Sequence, residues 1–99
     1  MLHIITCSPF VSDAFASCLR LLQPGQAILL IEDGVTAVVK HSAIAEQLTK
    51  TLKQNPVYVL IADLETRGIK NSVLEGVQLI DYDGFVDLVA QHNPIQNWS

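Results

Sequence analysis

The sequence lacks the features that mark several classes of protein. Its six lysines and arginines are scattered and its net charge is −4, which argues against direct, sequence-independent binding of nucleic acid. An indirect role in RNA metabolism stays open. No apolar run approaches the roughly 18 residues of a membrane span, and the start, Met1-Leu2-His3, lacks the basic residues and long apolar core of a signal peptide. We therefore expect a soluble, cytoplasmic protein.

Cysteine, histidine and glycine are sparse and do not form a known site. Cys7 and Cys18 have neither a zinc spacing nor the spacing of a CxxC redox pair, and we expect free thiols in a reducing compartment. His3, His41 and His92 lack metal-ligand spacing, so we expect them to pack in the core or on the surface. The five glycines form no phosphate-binding loop. The residues thus predict neither a metal nor a cofactor.

Apolar residues are plentiful and occur in short runs. At 99 residues and 49% hydrophobic, the chain can form one domain, residues 1–99, with a core that needs no metal or disulfide. Four runs predict strands, and the lack of alternation in the second is typical of a strand covered on both faces. The predicted strands are Leu2–Thr6, Ala27–Ile31, Val57–Ile61 and Val77–Ile80.

Helical patterns separate these runs. The predicted helices are residues 13–22 capped by Ser12, a segment capped by Ser42 and stopped at Asn55-Pro56, residues 62–66, and a last helix through Gln91, with one helical turn over 35–39. Pro94 ends the last helix and leaves residues 93–99 as a C-terminal tail. This alternation predicts an α/β fold, a three-layer α/β/α arrangement around a mostly parallel sheet of at least four strands in an order left open.

Acidic residues follow three of the predicted strands. They are Glu32 and Asp33, then Asp63, then Asp81 and Asp83. If they converge, they could bind Mg²⁺ as in phosphoryl-accepting receiver domains. The simpler interpretation, which we favour, is that each acid caps a helix and meets the positive end of its dipole. Lys70 lies in an irregular segment rather than at a strand end, which also weakens the receiver hypothesis.

Three further side chains could carry chemistry or contacts. Cys18 could be a thiolate nucleophile, but it shares an apolar stripe with Phe15 and Leu19, which favours a buried small hydrophobe. Cys7 follows the first strand with no evident base beside it. Trp98 either folds back on the domain or fills a partner's pocket. The residues therefore indicate no catalytic group, with Cys18 the one weak candidate.

A series of short motifs spans nearly the whole chain and carries a family resemblance. In order, they are Leu2-His3, Ser8-Pro9-Phe10, Leu21-Leu22, Ile28-Leu29-Leu30, Glu32-Asp33-Gly34-Val35, Tyr58-Val59-Leu60, Asp63-Leu64, Arg67-Gly68, Ile80-Asp81-Tyr82, Phe85-Val86 and Trp98. Together they resemble the TusB/DsrH family of small sulfur-relay subunits.

This resemblance implies a DsrE/DsrF/DsrH-like fold and a partnership. The partners would be TusC/DsrF-like and TusD/DsrE-like subunits, assembled as a heterohexamer. A TusB-type complex takes persulfide sulfur from a carrier protein and passes it toward 2-thiouridine at the wobble position of tRNA. The relay cysteine of such complexes belongs to the TusD/DsrE-like subunit, whereas Cys18 matches a cysteine that some DsrH-like members carry. The main hypothesis is therefore a subunit that is itself non-catalytic.

Three alternatives remain beside this hypothesis. The chain could be a DsrH-type subunit in dissimilatory sulfur oxidation. It could instead carry persulfide directly through Cys18. From the residues alone, it could also be a receiver-like domain that uses Asp33, Asp63 and Asp81.

Overall fold

A five-stranded parallel sheet lies at the centre of the structure, a computed structural model that describes residues 1–99. Its strands, in the order β4-β3-β2-β1-β5, are β1 (Leu2–Ile5), β2 (Ala27–Leu30), β3 (Val57–Leu60), β4 (Gln78–Ile80) and β5 (Ile95–Trp98). The helices are α1 (Ala14–Leu21), α2 (Ala45–Thr51), α3 (Ile61–Thr66) and α4 (Tyr82–Gln91), and two 3₁₀ segments span Glu32–Val38 and Lys70–Ser72. No helix is both long and apolar enough to cross a membrane.

The two sides of the sheet hold separate apolar cores. Alternate residues of a strand point to opposite faces, so Ile28 and Leu30 of β2 pack on one side with Phe15 of α1, while Leu29 packs on the other with Leu88 of α4. We call these the three-helix face, covered by α1, α2, α3 and the first 3₁₀ segment, and the one-helix face, covered by α4. This three-layer arrangement confirms the predicted α/β fold class.

Residues 95–98, expected in a C-terminal tail, instead form the strand β5. It pairs in parallel with β1, with Leu2 opposite Ile95 and Ile5 opposite Trp98. The N–H of Thr6 donates to the carbonyl oxygen of Trp98 at 3.2 Å. The strand was not predicted because two of its four residues are polar, so most of its stability comes from β1 rather than from a local apolar run.

The elements on the three-helix face start and end differently from the prediction. The turn expected over 35–39 is a 3₁₀ segment that begins at Glu32. α2 begins only at Ala45, and the Oγ of Ser42, expected to cap it, accepts the N–H of Ile44 at 3.3 Å in the preceding turn. Val39 pairs with Val73 in an isolated antiparallel bridge, which connects the irregular segment that contains Lys70 to the end of the first 3₁₀ segment.

Candidate functional site

The segments that follow four of the strands lie at one edge of the sheet, because all five strands are parallel. They are the loop 6–13 after β1, the first 3₁₀ segment, the start of α3 and the start of α4, and we call this the carboxyl edge. The chain also changes direction here, because β2 lies on one side of β1 and β5 on the other. Open α/β sheets usually place their sites at such a point.

Gly34 allows the first 3₁₀ segment to pass directly over the end of β1. A Cβ atom at this position would clash with the carbonyl oxygen of Ile5 and lie 3.0 Å from its carbonyl carbon. The N–H of Gly34 donates to the carbonyl oxygen of Ile31 at 2.9 Å, which tightens the turn. This close approach fixes the position of Glu32 and Asp33 at the carboxyl edge.

Asp33 and Asp63 are brought together, with an arginine between them. An Oδ1 atom of Asp33 accepts from Nη2 of Arg67 at 2.8 Å and from its Nε at 3.2 Å. Arg67 also approaches Asp63, with its Nη1 3.9 Å from Oδ1. The other Asp63 oxygen, Oδ2, accepts the N–H of Glu32 at 2.7 Å, and Glu32 has a left-handed φ of 52°. A guanidinium thus lies between two of the acids proposed as a magnesium site.

The remaining acids of the proposed receiver site have other roles. Asp81 caps α4, because its Oδ1 accepts the N–H of Gly84 at 2.8 Å. Asp83 is exposed in the first turn of the same helix. Lys70 forms its ion pair with Glu65, at 3.6 Å, and with none of these acids. The structure contains no group of three or more His, Cys, Asp or Glu side chains placed to hold a metal ion.

Cys18 lies inside the core of the three-helix face. Its side chain is fully buried and belongs to the same apolar cluster as Phe15. Burial raises the pKa of the Cys18 thiol to about 11, because the charged thiolate loses its hydration. The thiol is therefore protonated at neutral pH and closed to solvent. Cys7, by contrast, is half-buried in the loop after β1, and the two cysteines are not joined by a disulfide.

Trp98 folds back on the domain through a buried histidine. Its Nε1–H donates to Nδ1 of His3 at 3.1 Å, and Nε2 of His3 lies 2.8 Å from Oε1 of Gln26. Both contacts are satisfied when His3 is neutral and carries its proton on Nε2. The indole ring of Trp98, together with His3 and Gln26, lines one side of a cavity of about 310 Å³. The other residues of its lining are Met1, Leu21 and Gln96. The lining contains no Asp, Glu, Lys or Arg side chain.

The other two histidines have structural positions. Nδ1 of His92 donates to the carbonyl oxygen of Leu88 at 2.8 Å at the end of α4. His41 is exposed in a turn, with a φ of 63°. Neither lies beside a cysteine or an acid of the carboxyl edge, so the histidines do not complete a catalytic set.

Comparison with known proteins identifies the family. The family model described as DsrH like protein matches residues 7–95. Protein TusB of Shigella flexneri and Protein TusB of Escherichia coli strain K12 are each 40% identical over 98 residues, which covers 99% of this chain and 100% of each relative. This chain belongs to the DsrH family. The family predicted from the motifs is thereby confirmed.

Solved structures confirm the fold at lower sequence identity. The ychN protein from E. coli has a TM-score of 0.80 and 18% identity, with 97% of both chains covered. The protein MTH1491 from Methanobacterium thermoautotrophicum has a TM-score of 0.75 and 14% identity, with 97% of this chain and 95% of that chain covered. These two structures share the α/β architecture described above.

Proposed function

We propose that this chain is a TusB-type subunit of a cytoplasmic sulfur-relay complex, and that it contributes no relay cysteine of its own. The complex passes persulfide sulfur toward 2-thiouridine at the wobble position of tRNA. Membership of the DsrH family supports a role in sulfur relay, and full-length similarity to proteins named TusB favours tRNA thiolation over sulfur oxidation.

The burial of Cys18 is the observation that supports a non-catalytic role for this subunit. A persulfide relay depends on a thiolate that is accessible and readily formed, because the thiolate is the attacking nucleophile. Cys18 has 0% of its surface exposed and a pKa raised to about 11, so it meets neither condition. The alternative in which Cys18 carries persulfide directly is therefore disfavoured.

The partners in this proposal are two homologous subunits, TusC/DsrF-like and TusD/DsrE-like, in a heterohexamer. A subunit without a relay thiol can still bury apolar surface and so shape the interface that holds its partner's thiol. The chain keeps seven large hydrophobic side chains exposed to solvent, and they are Met1, Phe10, Val11, Leu21, Leu79, Tyr82 and Val86. Such side chains are available for subunit contacts.

Co-expression tests the assembly. The chain is produced with its two homologues, and native mass spectrometry measures which subunits stay together at micromolar concentration. We expect a hetero-oligomer that contains all three chains. A chain that remains monomeric while its two homologues assemble without it would contradict the proposal.

Persulfide loading tests the role of the thiol. The isolated chain is treated with inorganic polysulfide, from which a thiolate takes one sulfane sulfur while the shortened polysulfide leaves. Intact mass records any one-sulfur adduct in the wild type and in matched Cys7→Ser and Cys18→Ala variants. We expect no adduct that depends on Cys18. An adduct that forms in the folded wild type and disappears in Cys18→Ala would assign the relay thiol to this chain.

A further inference from the structure

The loop after β1 exposes two adjacent apolar side chains at the carboxyl edge. Phe10 is 54% exposed and Val11 is 89% exposed, the highest value among the large hydrophobic side chains. Neither side chain belongs to the apolar core of either face. We call residues Phe10 and Val11 the apolar tip.

The tip is held in place by Ser8 rather than left free. The N–H groups of Val11 and Ser12 both donate to the carbonyl oxygen of Ser8, at 3.2 and 3.0 Å. The N–H of Phe10 donates to the Ser8 hydroxyl oxygen at 3.2 Å. The same oxygen lies 3.3 Å from the hydroxyl oxygen of Thr36, whose proton is donated to the carbonyl oxygen of Asp33 at 2.8 Å. A turn fixed in this way loses little conformational entropy when a partner binds it.

Acidic side chains without a cationic partner lie at the same edge of the sheet as the tip. Asp13 follows it by two residues, and Glu32 begins the 3₁₀ segment to which Ser8 is bonded through Thr36. Neither Asp13 nor Glu32 takes part in any of the four ion pairs of the chain. The arginine at this edge, Arg67, is already paired with Asp33.

The start of α4 adds two more carboxylates to the same edge. Asp81 and Asp83 are exposed and have no cation within ion-pair distance. A phosphate backbone would be repelled by such an edge, whereas lysine or arginine side chains would be attracted to it. The occupant that fits is therefore a protein surface rather than tRNA.

We propose that the apolar tip docks into an apolar cleft rimmed by lysine or arginine on a neighbouring subunit of the complex. The inference rests on the proposed function, since it takes the neighbour to be one of the two homologous subunits. Phe10 and Val11 fill the cleft and provide most of the affinity, while Asp13 and Glu32 face the cationic rim and speed association.

Paired variants test the tip in the co-expressed complex. The double variant Phe10→Ser/Val11→Ser is compared with Gln54→Ser, which removes an exposed polar side chain in the turn before β3, at the edge of the sheet opposite the carboxyl edge. Circular dichroism checks that each variant is folded. We expect the tip variant to bind the two homologous subunits at least about 10-fold more weakly than the wild type, and Gln54→Ser to bind like the wild type.

Charge variants test whether lysine or arginine side chains of the neighbouring subunit surround its cleft. The wild-type affinity should fall as sodium chloride is raised, and Asp13→Asn/Glu32→Gln should bind more weakly at low salt and lose much of that salt dependence. An affinity that does not respond to salt would overturn the cationic rim. Binding of tRNA to the isolated chain through the tip would overturn the choice of a protein partner.

The outcomes separate this inference from the proposed function. If the wild type assembles and the folded tip variant assembles equally well, the docking inference is wrong and the proposed function stands. If the wild type itself does not join its homologues, the proposed function fails and the docking partner is lost with it.

Discussion

Raising the pH above 9 should destabilise the wild-type protein more than a Cys18→Ala variant. The folded thiol has a pKa of about 11, while the ordinary value is 9.0, which we take for the unfolded chain. Between these values the unfolded chain releases its proton and the folded chain keeps it, so unfolding becomes more favourable as the pH rises. The stability contributed by Cys18 is complete below pH 9 and is lost as the pH approaches 11. At about pH 10 the loss is about 1.4 kcal/mol.

Urea denaturation followed by the fluorescence of Trp98, the single tryptophan, measures this loss. The free energy of unfolding is compared at about pH 8 and about pH 10 for the wild type, Cys18→Ala and the control Cys7→Ser. Other titrating groups affect all three proteins equally, and the packing that Cys18→Ala removes lowers its stability at both pH values. The wild type and Cys7→Ser should therefore lose about 1.4 kcal/mol more than Cys18→Ala. Equal losses in all three would refute the burial argument.

Three further substitutions test the contacts that build the carboxyl edge and the β5 side of the sheet. Gly34→Ala should lower the free energy of unfolding by roughly 1–3 kcal/mol, because its Cβ meets the carbonyl oxygen of Ile5; an unchanged urea midpoint would contradict this close approach. Asp81→Ala should cost about 1 kcal/mol and speed amide exchange in the first turn of α4, which it caps. Trp98→Phe should cost roughly 0.5–1.5 kcal/mol by leaving Nδ1 of His3 without its donor, and a variant as stable as the wild type would show that this hydrogen bond contributes little.

The parts of the fold that depend on local pattern were predictable. The run from Ala27 to Ile31 predicts a strand covered on both faces, and all four residues of β2 are buried. β5 was not predicted because its residues Gln96 and Asn97 carry no apolar signal. The backbone hydrogen bonds of β1 supply what the local sequence of β5 lacks.

The same distinction applies to the candidate site, where contacts within one helix could be predicted and contacts between loops could not. The stripe shared by Phe15 and Cys18 lies within one helix, so the burial of Cys18 could be predicted, and Asp81 caps its helix as its position before α4 suggested. The pairing of Arg67 with Asp33 joins residues 34 positions apart. It could not be predicted, because it depends on how two neighbouring strands bring their loops together.

The function was predicted by the combination of motifs rather than by any site residue. The family and the fold class are confirmed, and the same relatives support the predicted role as a sulfur-relay subunit. The chain itself shows why a site search finds little: Asp81 caps α4, Asp33 and Asp63 pair with Arg67, and Cys18 is enclosed in the core.

The most direct test of a subunit without a relay thiol is the 2-thiouridine content of tRNA in cells whose only copy of this chain is Cys7→Ser/Cys18→Ala. Native mass spectrometry confirms that the variant still joins the complex, and cells without the chain provide the baseline. We expect the variant to support as much 2-thiouridine as the wild type, whereas deletion of the chain should abolish it. A variant that assembles normally but leaves tRNA unthiolated would contradict the account, because it would place a relay thiol on this chain.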